Sequence, residues 1–156
     1  MSSDSKTAIY RDAHRQIASL IGELSDPIAA MASVAAVLFD ALPHASWVGF
    51  YRVVEPGLLR VGPYQGPVGC LEIPFGNGVC GTAAQLLQSQ VVPDVHAFPG
   101  HIACDAQARS EIVVPVRNLA GDLRAVLDID SHQPASFDNQ DLEHLEQIAN
   151  LLRPQI

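Results

Sequence analysis

Several features are missing from this sequence, and each absence narrows what the protein can be. There is no basic cluster: nine Lys and Arg are scattered among seventeen Asp and Glu, giving a net charge of -8. Phosphate-rich polymers and anionic lipid surfaces bind through clustered positive charge, so neither nucleic acid nor membrane is an expected partner. There is no long hydrophobic run. The most apolar window, Ile28 to Leu42, is too short to span a bilayer. The polar stretch Met1 to Lys6 does not open a signal peptide, so a cytoplasmic location is expected. No Cys-x-x-Cys, Gly-x-Gly-x-x-Gly or P-loop occurs, and no pair among the six His has zinc-finger spacing with a cysteine. A nucleotide-phosphate cradle and a structural metal site have no support, and no cofactor is expected. Cysteine itself is scarce. Cys70, Cys80 and Cys104 are odd in number and widely spaced, which does not read as a secreted disulfide framework.

What remains is an ordinary globular chain of 156 residues, 48% apolar and 17% charged, suited to one domain over residues 1–156. Apolar residues at helical spacing from Ile9 to Leu24 predict a first helix over Thr7 to Leu24. Asp26 is a good N-cap and Pro27 suits the first helical position, so a second helix is expected from Pro27 to Leu42, where Pro43 stops it. From Ser46 the period changes to that of strands. Strands are expected at Ser46–Val54, Leu58–Val61, Val68–Ile73, Glu111–Arg117 and Leu123–Ser131, with a brief one at Gln90–Val92. Gly62 to Pro67 reads as a loop, Val79 to Gln88 as a short helix, and Pro93 to Ser110 as a long loop. A loop of that length inside a compact domain is usually functional. Asp138 caps a last helix that Pro154 ends. The pattern is α+β: a central antiparallel sheet of about five to six strands flanked by helices.

Cys104 sits within the long loop, in Gly100-His101-Ile102-Ala103-Cys104-Asp105. A thiolate is the reactive form of cysteine; His101 and Arg109 could favour it, whereas Asp105 opposes it. Free cysteines are commonly inert core residues, and loop context alone leaves both readings open. Cys70 reads as a strand residue that could be a resolving thiol if the fold brings it to Cys104. Cys80 opens the short helix, where a helix N-terminus lowers a thiol pKa, although a small packed side chain is the commoner reason for such a residue. Strand alternation puts Asp128 and Asp130 on one face, with Leu127 and Ile129 on the other. Glu111 on the neighbouring strand could join them. Crowded carboxylates leave a protonated acid near neutral pH, so the group could be a general acid, an ammonium site, a metal site, or a solvated strand end. Trp47 and Tyr51, four apart on a strand, share a face and could line a pocket or simply the core.

The strings GVCGTA, DVHAFPGHIACDA, SEIVVP and VLDIDS, with SWVGFY and GPYQG, resemble the free methionine-(R)-sulfoxide reductases, a family of single GAF-type domains. The resemblance runs from about Ser46 to the final helix. It implies that Cys104 attacks the sulfoxide sulfur, that Cys70 resolves the resulting sulfenic acid as a disulfide, and that Cys80 is an auxiliary resolver. It implies that Glu111, Asp128 and Asp130 surround the sulfoxide oxygen and the amino group, and that Trp47 and Tyr51 meet the methyl. A thioredoxin-type reductant and a homodimer are also implied. Gly69 stands where a small residue such as Ala is expected, and the turn Asn118 to Asp122 is longer than the family pattern by about one residue, departures expected to leave the chemistry untouched. A ligand-sensing GAF module and a thiol peroxidase using Cys104 and Cys70 are the competing readings; the peroxidase has no need of the carboxylates.

Overall fold

The computed structural model describes residues 1–156. Its elements are helices α1 (Ser3–Ile21) and α2 (Pro27–Ala41), strands β1 (Trp47–Glu55), β2 (Leu58–Gln65) and β3 (Glu72–Pro74), helix α3 (Gly78–Leu86), strands β4 (Gln90–Val92), β5 (Ser110–Arg117) and β6 (Leu123–Ser131), and helix α4 (Asn139–Leu152). The six strands form one antiparallel sheet in the order β3-β2-β1-β6-β5-β4. The two edge strands are three residues each, which limits the unpaired backbone offered to other chains.

Local chemistry explains where the helices begin. Asp26 Oδ1 accepts the backbone N–H groups of Ile28 and Ala29, and Pro27 follows in the first turn, as expected. Asp138 and Asp141 form a reciprocal capping box at the start of α4. The first helix starts earlier than its apolar stripe, at Ser3, because Ser2 caps it.

The sheet separates two apolar clusters. On one face α1, α2 and α4 cover Val48, Phe50, Ile112, Val114, Leu127 and Ile129. The opposite face carries Trp47, Tyr51, Val113 and Val126, closed over by α3 and by the segment from Pro93 to Arg109. Strand alternation assigns each side chain to its face, and that second face carries the candidate site.

Two strand boundaries differ from expectation. β2 runs on to Gln65, through Gly62 and Pro63. The β1–β2 register slips between Gly49↔Tyr64 and Tyr51↔Val61, so Gly62 and Pro63 fall within an irregularity of the ladder. A proline can sit there without breaking a regular ladder bond. The third strand is shorter than expected, because Val68 and Leu71 are exposed and only Glu72–Pro74 pairs with β2. Cys70 therefore lies in an irregular segment, not on a strand. The long loop holds one turn of 3-10 helix, Val95–Ala97, capped by Asp94.

Candidate active site

Three central strands set the floor of the site in rows. Trp47 on β1 is opposite Asp130 on β6, and Asp130 is opposite Glu111 on β5. One row on, Gly49 faces Asp128, which faces Val113. The Gly49 position tolerates no side chain, since a Cβ there would collide with Tyr64 Cβ and the Trp47 ring. The Trp47 ring instead lies stacked between Tyr51, at a centroid distance of 5.6 Å, and Tyr64, at 5.1 Å. Its Nε1 donates to the Pro67 carbonyl at 2.9 Å, which fixes the ring's orientation.

Helix α3 supplies the wall. Its first residue, Gly78, has φ +62, a left-handed backbone suited to glycine, and Ile102 packs against it. The Gly78 N–H bonds the Gly100 carbonyl at 3.2 Å, tying the helix start to the cysteine loop. The roof is that loop. Cys104 is bonded to Cys70 through a disulfide, with 5.2 Å between their Cα atoms. Both residues are half-buried.

One cavity brings together Trp47, Tyr51, Cys80, Cys104, Glu111, Asp128 and Asp130. Every expected site residue but Cys70 lines it, and Cys70 is bonded to one that does. His101 also lines it, and burial lowers the pKa of its ring, favouring the neutral imidazole. Arg109 does not line it; its backbone pairs with Ser131 and Val95 instead. Gly69 reaches the site after all: a Cβ there would stand 3.0 Å from Tyr51 Oη and 3.1 Å from the Trp47 ring.

Electrostatics are set by burial. Glu111 and Asp128 are almost wholly buried, and desolvation pushes both carboxyls well above the usual range, with the negative charge of neighbouring carboxylates adding to it. Asp130 is raised as well, by burial first and then by Glu111 and Asp105. Burial in the site thus favours the protonated form of these carboxyls. Asp128 Oδ1 has no hydrogen-bond partner, so the floor has an unused polar atom.

Cys80 behaves opposite to the helix-terminus expectation. Burial, then the charges of Asp128 and Glu111, raise its thiol well above the usual value. Its Sγ lies 3.9 Å from Glu111 Oε1, placed to donate a weak hydrogen bond. A helix N-terminus lowers a thiol only where the thiolate can be solvated or paired, and neither holds here. Cys80, Glu111 and Asp128 offer donor atoms all within 4.8 Å of one another, a spacing that a cation could bridge. Sequence spacing could not show that cluster, because its members come from three elements.

One site feature had no signal in the sequence. His132 Nε2 lies 2.8 Å from Asp105 Oδ2, beside Cys104. Burial works to raise the Asp105 carboxyl, but the Gln107 N–H and His132 together hold it below its usual value.

A family model described as GAF domain matches residues 23–153. A protein from Escherichia coli named free methionine-R-sulfoxide reductase is 41% identical, over 92% of this chain and 86% of its own. The chain belongs to the GAF-domain family of free methionine-R-sulfoxide reductases, oxidoreductases that act on sulfur. Solved structures agree. That of the free methionine-R-sulfoxide reductase from Neisseria meningitidis, in complex with its substrate, matches with a TM-score of 0.90 and 42% identity, covering 99% of this chain and 91% of that one. The reduced form of the Staphylococcus aureus protein fRMsr matches with a TM-score of 0.88 and 46% identity, covering 94% of both chains. Within this family of reductases the α+β architecture expected from the sequence is shown.

Proposed function

We propose that this protein reduces free L-methionine (R)-S-oxide to L-methionine, with Cys104 as the attacking thiol. The observation that carries this reading is a Cys70–Cys104 bridge whose Cys104 lines the same cavity as the Glu111 and Asp128 carboxyls, which burial pushes toward their protonated form. A sulfoxide oxygen must take up protons as its bond to sulfur breaks. Glu111 and Asp128 are the acids poised to supply them. Asp130, partly exposed, pairs the substrate ammonium, and the Trp47 and Tyr51 rings hold the methyl.

Cys104 attacks the sulfoxide sulfur. The oxygen ends on Cys104 as a sulfenic acid, and methionine leaves. Cys70 then attacks that sulfur, the S–S bond forms, and the oxygen departs as water. Two thiols have given two electrons to the sulfoxide. A thioredoxin-type dithiol returns them by disulfide exchange. Cys70 suits the resolving role because it is half-buried and already bonded to Cys104. Cys80 is an auxiliary resolver at most, since its thiolate is disfavoured by burial.

One GAF unit over residues 1–156, acting in a reducing cytoplasm, completes the reading. No helix is long and apolar enough to cross a membrane. The active species is a homodimer; Leu20, Ile28 and Phe39 leave apolar side chains exposed on α1 and α2, consistent with a second copy packing there. Light scattering tests that assignment.

The deciding experiment is a stereospecific assay with dithiothreitol or thioredoxin. The (R) sulfoxide should be consumed and the (S) form left. Cys104→Ser should abolish turnover, and Cys70→Ser should release methionine in a first turnover but recycle slowly. Reduction of peroxide without reduction of the sulfoxide would establish the thiol peroxidase instead.

A further inference from the structure

The segment bearing Cys104 is held to the rest of the protein by few polar links. Between His101 and Ala108 no backbone group bonds to another element: the Cys104 N–H bonds Ile102 O at 3.1 Å, and the Ala108 N–H bonds Asp105 O at 3.1 Å. Apart from the local bond of the His101 N–H to Phe98 O at 3.2 Å, two links leave this stretch. One is the Cys70–Cys104 disulfide. The other is the 2.8 Å hydrogen bond between Asp105 Oδ2 and His132 Nε2. In the reaction proposed above, the disulfide exists only after turnover. The reduced enzyme that meets substrate keeps only the second.

His132 projects from a firm mount. It follows Ser131 at the end of β6, two residues beyond Asp130. Ser110 and Ser131 are fully buried. The Ser110 hydroxyl donates to Gln133 O at 2.6 Å and accepts the Ser136 N–H at 3.2 Å. The Ser131 hydroxyl accepts the Gln133 N–H at 3.1 Å and the Ser136 hydroxyl at 2.8 Å. The Ala135 N–H bonds Pro93 O at 2.9 Å. This turn is therefore fixed to the same two strands that carry Glu111, Asp128 and Asp130. A side chain anchored there and bonded to the residue after Cys104 sets the distance between the sulfur and the acids.

We propose that His132 is a positioning residue, which holds the reduced Cys104 thiol over the carboxyl floor through Asp105. The proposal rests on the reading of Cys104 as the attacking thiol. His132 touches no substrate. Its effect is on alignment, and a misplaced nucleophile lowers the rate of its step rather than the affinity for substrate. Both partners keep some solvent exposure, so the effect is modest.

The test uses the Cys70→Ser protein, in which no bridge to Cys70 can form, with His132 intact or changed to Ala or Gln. Single-turnover methionine release should slow by about threefold to fivefold in His132→Ala, with KM changed less than about twofold. His132→Gln keeps an N–H donor at the tip and should restore most of the rate, which a general loss of stability would not permit. Equal rates for His132 and Ala, or no rescue by Gln, overturns the proposal. A readout independent of turnover separates it from the reductase reading. Amide hydrogen exchange over 102–108 should quicken in His132→Ala while the strands stay protected. Unchanged exchange there overturns the latch, whereas a parent protein inert toward the sulfoxide overturns only the assigned reaction.

Discussion

A carboxyl buried among other carboxyls helps the chemistry and weakens the fold. Asp128 shows both sides. Its side chain is buried, one oxygen has no partner, and its carboxyl is raised by burial and by the Asp130 charge. A group with a raised native-state pKa binds more protons folded than unfolded over the interval between the two values. Stability therefore falls as pH climbs through that interval, and the contribution is whole only below the unfolded carboxyl range near about pH 4. Asp128→Asn removes the titrating group. We expect it to stabilise the protein by about 1–2 kcal/mol at pH 8 and far less at pH 4, read by urea unfolding at both pH values. The same variant should lose at least about tenfold in reductase rate, because the acid is gone. A variant that gained stability and kept full activity would assign the proton donation to Glu111 alone. At this scale the sequence was informative where one strand's alternation settles the matter: Leu127 and Ile129 in the helix-facing core and Asp128 in the cavity follow from period two. It was silent where the partner is distant. Nothing around His132 marks it as the neighbour of Asp105, and the acidity of Cys80 depends on carboxyls that arrive from β5 and β6.

Helices α1 and α4 lie at opposite ends of the chain and are joined by a buried polar clasp. Asp141 is fully buried. It accepts Lys6 Nζ at 2.6 Å, the Tyr10 hydroxyl at 2.7 Å and the Asp138 N–H at 2.8 Å. Breaking one partner of such a group leaves the others buried and unpaired. Asp141→Ala should cost about 3–5 kcal/mol in chemical denaturation, more than Lys6→Met, which leaves Tyr10 and the helix cap satisfied. Equal costs would mean that the ion pair, not the network, holds the two helices. Elements were legible in the sequence where their signals are local. Asp26-Pro27 and Asp138 each announce a helix start with the residues that cap it. The reading failed at Gly62-Pro63, since a strand can absorb a proline only when its partner shifts register, and the partner is β1. It failed again at Val68-Gly69-Cys70, an apolar run of strand-like composition that finds no strand to pair with until Glu72.

At the scale of the molecule, the three larger helices take one face of the sheet and leave the other to a roof made of loop and disulfide. That roof narrows the cavity in the bridged form. The cavity beneath it encloses about 30 Å³, room for about two water molecules, whereas small-molecule sites commonly run to about 300–1,000 Å³. The bridged form thus leaves little room for an amino acid of methionine's size. Breaking the bridge frees Cys104 from Cys70 and leaves the segment from His101 to Ala108 without a covalent restraint to the β2–β3 connection. The oxidised protein should therefore bind neither sulfoxide nor methionine measurably, while Cys104→Ser, which cannot form the bridge or turn over, should bind the (R) sulfoxide at least about tenfold more tightly by calorimetry. A bridge closing a 34-residue separation should add about 3–4 kcal/mol to the oxidised state, so thermal unfolding should occur well below the oxidised value once reductant is present. The two measurements bear on one cycle: the state that is more stable is the one from which substrate is shut out, and a reductant must spend that stability to reopen the site. Equal sulfoxide affinity in the bridged and bridge-free proteins would show that the roof opens without thiol chemistry.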